Sequence, residues 1–198
     1  MALTNLNNEL NNLRDTASKI RSDFATEVAA LNANDKLSMA GKRAELDRRE
    51  PEYRAKLTEL SDRETAALEN TRQSLRRQIT GTATDGDVIA FRDAHDRAAT
   101  LKTPYDARDA MSRALDVGDQ ALAKAILDTA IGKGWDDAVT SYTSANPDMA
   151  TTINDLYDLH RWTDNVQNEF QRSMAYQLPE ARLKDAAEGQ FANGTVYP

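Results

Sequence analysis

Residues 3–24 read LTNLNNELNNLRDTASKIRSDF, and the order of apolar and polar residues in this stretch decides the fold. Leu3, Leu6, Leu10, Leu13, Ala17, Ile20 and Phe24 follow one another at alternating steps of three and four, which places all of them on one narrow side of an α-helix. The side continues through Val28 and Leu31 with one step of four where three was due, a stutter that relaxes a left-handed supercoil. Asn5, Asn7, Asn8, Asn11 and Asn12 are poor helix formers, so this helix depends on a packing partner rather than on intrinsic propensity. The pattern predicts a helix over residues 4–31 with Thr4 as its N-cap.

The partner is legible next along the chain. NANDKLS, residues 32–38, reads as a turn ending in a capping serine, and residues 38–79 carry a sparser stripe of Leu46, Tyr53, Leu57, Leu60, Ala67, Leu75 and Ile79. Glu45–Arg49, Glu50–Arg54, Glu52–Lys56 and Glu59–Arg63 stand four apart in the favourable order and describe a long solvated face. Pro51 falls inside this helix, where it is expected to kink or restart it. The expectation for residues 1–80 is therefore a long antiparallel coiled-coil hairpin.

GTATDGD, at 81–87, reads as a boundary, with a linker over 81–86. Beyond it helices are short and clearly punctuated: Thr103-Pro104, Gly118-Asp119, Gly134 and Asn146-Pro147-Asp148 start or stop them. The predicted helices are 87–101, 104–117, 119–133, 135–145 and 147–177, a compact bundle over 87–178 with Ala110, Ala114, Leu115, Leu122, Ile126, Leu127, Ala130, Ile131 and Trp135 in its core. After Leu178-Pro179 a short helix, EARLKDAAEG, leads into an uncharged end carrying Phe191, Val196 and Tyr197, so residues 179–198 are expected to form an extended C-terminal arm. No strand-like alternation is sustained anywhere, and the fold class is all-α.

Composition bounds the chemistry. The 198 residues include no cysteine, which excludes disulfides, thiol catalysis and thiolate-held zinc. Net charge is −7, the wrong sign for broad phosphate-backbone contact, and the basic residues of KRAELDRREPEYRAK are interleaved with acids, so a nucleic-acid partner is not expected. There is no basic-plus-apolar leader and no run near the roughly 18 apolar residues of a membrane span, so a soluble, non-secreted protein with no membrane partner is expected.

His95 and His160 are the two histidines; Asp164 stands one helical turn after His160, but one imidazole with one carboxylate is not a metal site. GTATDGD lacks the Lys-Ser/Thr of a phosphate loop. No catalytic residue, metal ligand or cofactor site is assigned, and the protein is not expected to be an enzyme. AMSRALDVGDQALAKAILDTAIGKGW, residues 110–135, is similar to one helical pair of a tetratricopeptide-type solenoid, yet it has no second copy at that period and reads as an ordinary helical pair.

The layout NANDKLSMAGKRAELDRREPEYRAKLTELSDRE, residues 32–64, resembles small proteins from the structural gene modules of tailed bacteriophages, especially those of actinobacteria, and the resemblance covers roughly residues 1–80. It implies a non-enzymatic virion structural or assembly protein, made in the host cytoplasm and placed in the virion. Its partners are then capsid, portal or tail proteins, or further copies of itself. Leu3, Leu6, Leu10, Leu13, Ile20 and Phe24 of the seam are the expected interface residues, joined by Phe191, Val196 and Tyr197 of the arm. A bacterial helical adaptor uses the same features and is the second reading; an all-α enzyme is the third.

Overall fold

The structure, a computed structural model, describes residues 2–81 and 88–184. Eight α-helices and no strand occur among them: α1 (Ala2–Asn32), α2 (Met39–Thr80), α3 (Val88–Ala99), α4 (Pro104–Asp116), α5 (Gln120–Lys133), α6 (Asp136–Ala145), α7 (Ala150–Thr163) and α8 (Val166–Ala175), with a 3-10 turn at Pro147–Met149. The fold is all-α.

Several helix ends follow the capping residues, whereas α6 and α7 start without a side-chain cap. Ser38 Oγ accepts from the Gly41 N–H at 3.2 Å and opens α2. Thr103 and Asp106 form a reciprocal capping box at α4, behind Pro104 at the first helical position. Gly118 and Gly134 adopt φ of 75° and 66°, the left-handed conformation that lets the chain turn out of α4 and α5. Thr4 is not a cap, since α1 already runs from Ala2. Pro51 does not restart α2, which continues from Met39 to Thr80; the proline is exposed, where water can satisfy the carbonyl it leaves unpaired.

The expected single helix over 147–177 is three elements. The chain breaks at Asp164-Asn165, where Asn165 Oδ1 accepts from the N–H groups of Gln167 at 2.9 Å and Asn168 at 3.3 Å and so starts α8 anew. The short helix expected from residue 180 is also absent over 180–184, which are non-helical. Pro179 disfavours the helical region for Leu178, and the segment beyond is committed to other contacts.

The chain divides into two compact units, and the division does not fall at the expected linker. Among the described residues, one unit joins Asn7–Ala67 to residues 170–184; the other comprises residues 68–81 and 88–169 with residues 2–6. The boundary lies inside α2 because the last turns of that helix are spent on the second unit: Arg76 pairs with Asp128 of α5, and Lys124 Nζ donates to the Thr80 carbonyl.

In the first unit, Leu13, Ala17 and Phe24 of α1 are buried together with Leu46, Leu57 and Leu60 of α2 and with Leu178, while Ile20, Val28, Leu31 and Tyr53 pack at the margin. Arg14 pairs with Glu64, Glu27 with Arg49, and Lys42 with the Asn32 carbonyl, so contact positions that rise along α1 fall along α2.

The second unit centres on α5, whose Leu122, Ala123, Ala125, Ile126, Leu127, Ala130 and Ile131 are all buried. Packing skips one helix at a time, α3 on α5 and α4 on α6, with α4 and α6 also flanking α5 and with α7 behind it. Fully buried Ala98, Ala107, Ala123, Ala130 and Ala138 permit that close approach. The helical pair expected over 110–135 therefore sits in a two-layer stack, although its sequence does not repeat.

Candidate interaction site

The seam residues expected to meet a partner are spent within the chain. Leu6, Leu10, Leu13 and Phe24 are buried, and Leu3 and Ile20 are half-buried. Phe191, Val196 and Tyr197 lie outside the described residues.

The most distinctive site in the first unit is built on a residue the apolar pattern passed over. Glu64 occupies the gap in the α2 stripe between Leu60 and Ala67, and its side chain is 2% exposed. A carboxylate removed from water needs donors on both oxygens. Arg14 supplies a two-pronged contact, Nη2 to Oε1 at 2.7 Å and Nε to Oε2 at 3.1 Å. Arg172 Nε approaches Oε1 at 3.4 Å, and the Tyr176 hydroxyl donates to Oε2. Burial first, then the bond to Glu64, holds the Tyr176 hydroxyl well above the ordinary tyrosine range, and the same carboxylate raises the already high pKa of Arg14. Glu64 thus fastens the segment following α8 onto α1 and α2.

A second fastening lies at the far end of α1. The Asn32 side chain donates to the Arg182 carbonyl at 2.9 Å and accepts from the Lys184 N–H at 2.8 Å. One amide group thereby reads two backbone groups on the same edge of an extended chain, as a neighbouring β-strand does. Lys42, itself buried, donates from Nζ to the Asn32 carbonyl at 2.9 Å, placing a cation at the helix C-terminus. Between the two fastenings Leu178 is buried, and Tyr176, Ala181 and Leu183 pack against the same cluster. From Arg14 to Asn32 the helix rises about 27 Å at about 1.5 Å per residue. From Tyr176 to Lys184 a chain at about 3.3 Å per residue covers about 26 Å. Residues 176–184, fastened at Tyr176 beside Arg14 and Glu64 and at Arg182 and Lys184 beside Asn32, therefore run along α1 as a strap, in the same direction.

Several other polar side chains have partners within the chain. His160 Nε2 lies 3.2 Å from Asp164, the contact expected from their spacing. His95 stacks on Phe91, and its Nδ1 lies 3.0 Å from that residue's carbonyl. The Tyr157 hydroxyl bonds to Asp136; burial first, then that carboxylate, pushes it up to about 12. A cavity of about 430 Å³ opens among α3, α4 and α5, over Ala98, Leu101, Ala114 and Ile126. Its two arginines already face acids, Arg97 near Asp93 and Asp119 and Arg113 near Asp109 at 3.3 Å.

Among the described residues no group of three or more His, Cys, Asp or Glu is placed to hold a metal, and no helix is long and apolar enough to cross a membrane. On α8, Val166, Phe170 and Met174 stand four apart and are exposed, Phe170 at 64%. The chain matches no protein-family model, no curated protein and no solved structure.

Proposed function

We propose that this chain is a non-enzymatic structural or assembly protein of a tailed-phage virion, made in the host cytoplasm and binding capsid, portal or tail proteins. In this reading α1 and α2 form an antiparallel coiled-coil hairpin whose own core is closed, and partner contact falls to the surfaces left outside it and to the C-terminal arm with Phe191, Val196 and Tyr197. The carrying observation is α8. The apolar side chains of α1 are spent internally, whereas α8 holds Val166, Phe170 and Met174 in water at one-turn spacing. Such a stripe is the helix-in-groove mode of recognition. The second reading, a bacterial helical adaptor, uses the same stripe on a host protein.

Mass spectrometry of purified virions and precursor particles tests the proposal. The expected result is the chain at a fixed ratio to the major capsid protein, lost in a Phe170→Glu variant whose far-ultraviolet circular dichroism is unchanged. Absence of the wild-type chain from both kinds of particle overturns the virion reading and leaves the adaptor.

A further inference from the structure

We propose that the cavity among α3, α4 and α5 binds a small organic acid, with its apolar body against the cavity floor and its carboxylate between Arg97 and Arg113. The site lies wholly in the second unit and stands apart from the stripe on α8. Its floor selects the body. Where the three helices meet, Ala98, Ala110 and Ala114 stand at positions where larger side chains would close the space, and about 430 Å³ is left open. Ala98, Ala114 and Ile126 are buried, with Leu101 and Leu122 beside them, so the floor is apolar. Protein interiors are otherwise packed without gaps of this size, and an apolar hollow holds water poorly. Such a floor favours an apolar body of several carbons.

The mouth sets the charge. Arg97 of α3 and Arg113 of α4 reach it from different helices, and among the described residues the one carboxylate that lines it is Asp119. Asp119 is already engaged, since its Oδ1 accepts from the Leu122 N–H at 3.0 Å and caps α5. Asp93 and Asp109 stand one turn back on the arginines' own helices and do not line the cavity. Nor do these acids exhaust the two cations. Arg97 Nη1 lies 3.7 Å from Asp93 and 3.6 Å from Asp119, both beyond hydrogen-bond length. Arg113 Nη2 lies 3.3 Å from Asp109, an exposed pair of little strength. A guanidinium carries five N–H donors on three nitrogens, and among the described residues only one nitrogen of each arginine faces an acid. Two planar forks over an apolar hollow match a carboxylate, which accepts on both oxygens. A neutral ligand leaves the forks unused, and an amine meets two like charges.

The test titrates the full chain, labelled with heavy nitrogen, with sodium octanoate and follows its backbone amides by magnetic resonance. Octanol, which has the apolar body without the charge, is the comparison. The expected result is saturable shifts at the amides of Ala98, Ala114 and Ile126, with octanol bound about tenfold more weakly, the share of one charge-assisted contact. Arg113→Gln should weaken octanoate by about tenfold and leave octanol as in the wild type. Ala110→Met puts a longer side chain into the space and should abolish the shifts with both ligands while far-ultraviolet circular dichroism is unchanged. Arg113 is exposed, so its variant removes no buried group and decides the matter even if Ala110→Met does not fold. No saturable shift, or shifts elsewhere than the cavity, overturns the site. Octanol binding as tightly as octanoate, or Arg113→Gln binding octanoate as the wild type does, overturns the acid as its ligand.

Discussion

Tyr176→Phe removes one oxygen from the site around Glu64 and leaves the ring that packs against the first unit's core in place. In the wild-type chain Glu64 Oε2 accepts from both Arg14 Nε and the tyrosine hydroxyl; in the variant it keeps the arginine alone. A hydrogen bond to a charged group contributes about 1.5–3 kcal/mol, and the remaining two-pronged arginine contact favours the lower end. A loss of about 1.5 kcal/mol lowers Tm by about 3–6 °C in a chain of this length. The effect also has a pH signature. The folded chain holds the Tyr176 hydroxyl above its unfolded value of about 10, so the stabilisation is full below that value and falls as pH rises through it, because the unfolded chain ionises first. Thermal melts followed by circular dichroism should show the whole gap between wild type and variant near neutral pH, closing above about pH 10. Coincident melts near neutral pH, or a gap indifferent to alkali, would refute the assignment of Tyr176 as a donor to Glu64.

Leu13→Ala opens a hole in the cluster shared with Leu57 and Leu178; it should cost about 2–5 kcal/mol, read as a lower urea midpoint at an unchanged slope. Asn32→Ala deletes both bonds to the strap and should speed hydrogen exchange at the Lys184 amide while leaving helical content unaltered. Gly118→Ala meets no atom within 4 Å but must adopt φ of 75°, so it should cost about 1–2 kcal/mol by equilibrium unfolding, from backbone strain alone. Deleting residues 190–198 should leave the melting point almost unchanged and weaken incorporation into the particle, as measured by the variant's ratio to capsid protein; normal incorporation would make the arm a mere tail.

The helices were legible because their signals are local. The three-four stripe of α1, the capping Thr103 and Asp119, and the glycines at 118 and 134 each act within a turn or two of their own position. The break at Asp164-Asn165 had a local signal too, a run of poor helix formers ending in a good cap, but the apolar residues on either side outweighed it in the reading. Glu64 was missed for another reason. It continues the stripe at four residues from Leu60, as Lys42 does before Leu46, and a pattern built on apolar residues skips charged ones. The seven-residue gap between Leu60 and Ala67 was no sign of it, since the step from Leu46 to Tyr53 is as long. Nothing local announces the strap, because Asn32 meets Arg182 and Lys184 across some 150 positions. The division of α2 between two units was hidden likewise, since it depends on contacts of Arg76 and Thr80 with a helix not yet begun at that point in the chain.

The first unit is discontinuous in sequence, and this imposes an order of events during synthesis. Leu68–Glu169 separates its two parts. A ribosome adding about 5–20 residues per second needs about 5–20 s to make those roughly 100 residues. For that interval α1 and α2 as far as Ala67 exist without Arg172, Tyr176 or Leu178, with Glu64 held by Arg14 alone and the leucines that pack on Leu178 uncovered. The contiguous middle of the chain has local contacts and finishes first. Slowing translation over codons 170–184 should lengthen that stage without altering a single residue.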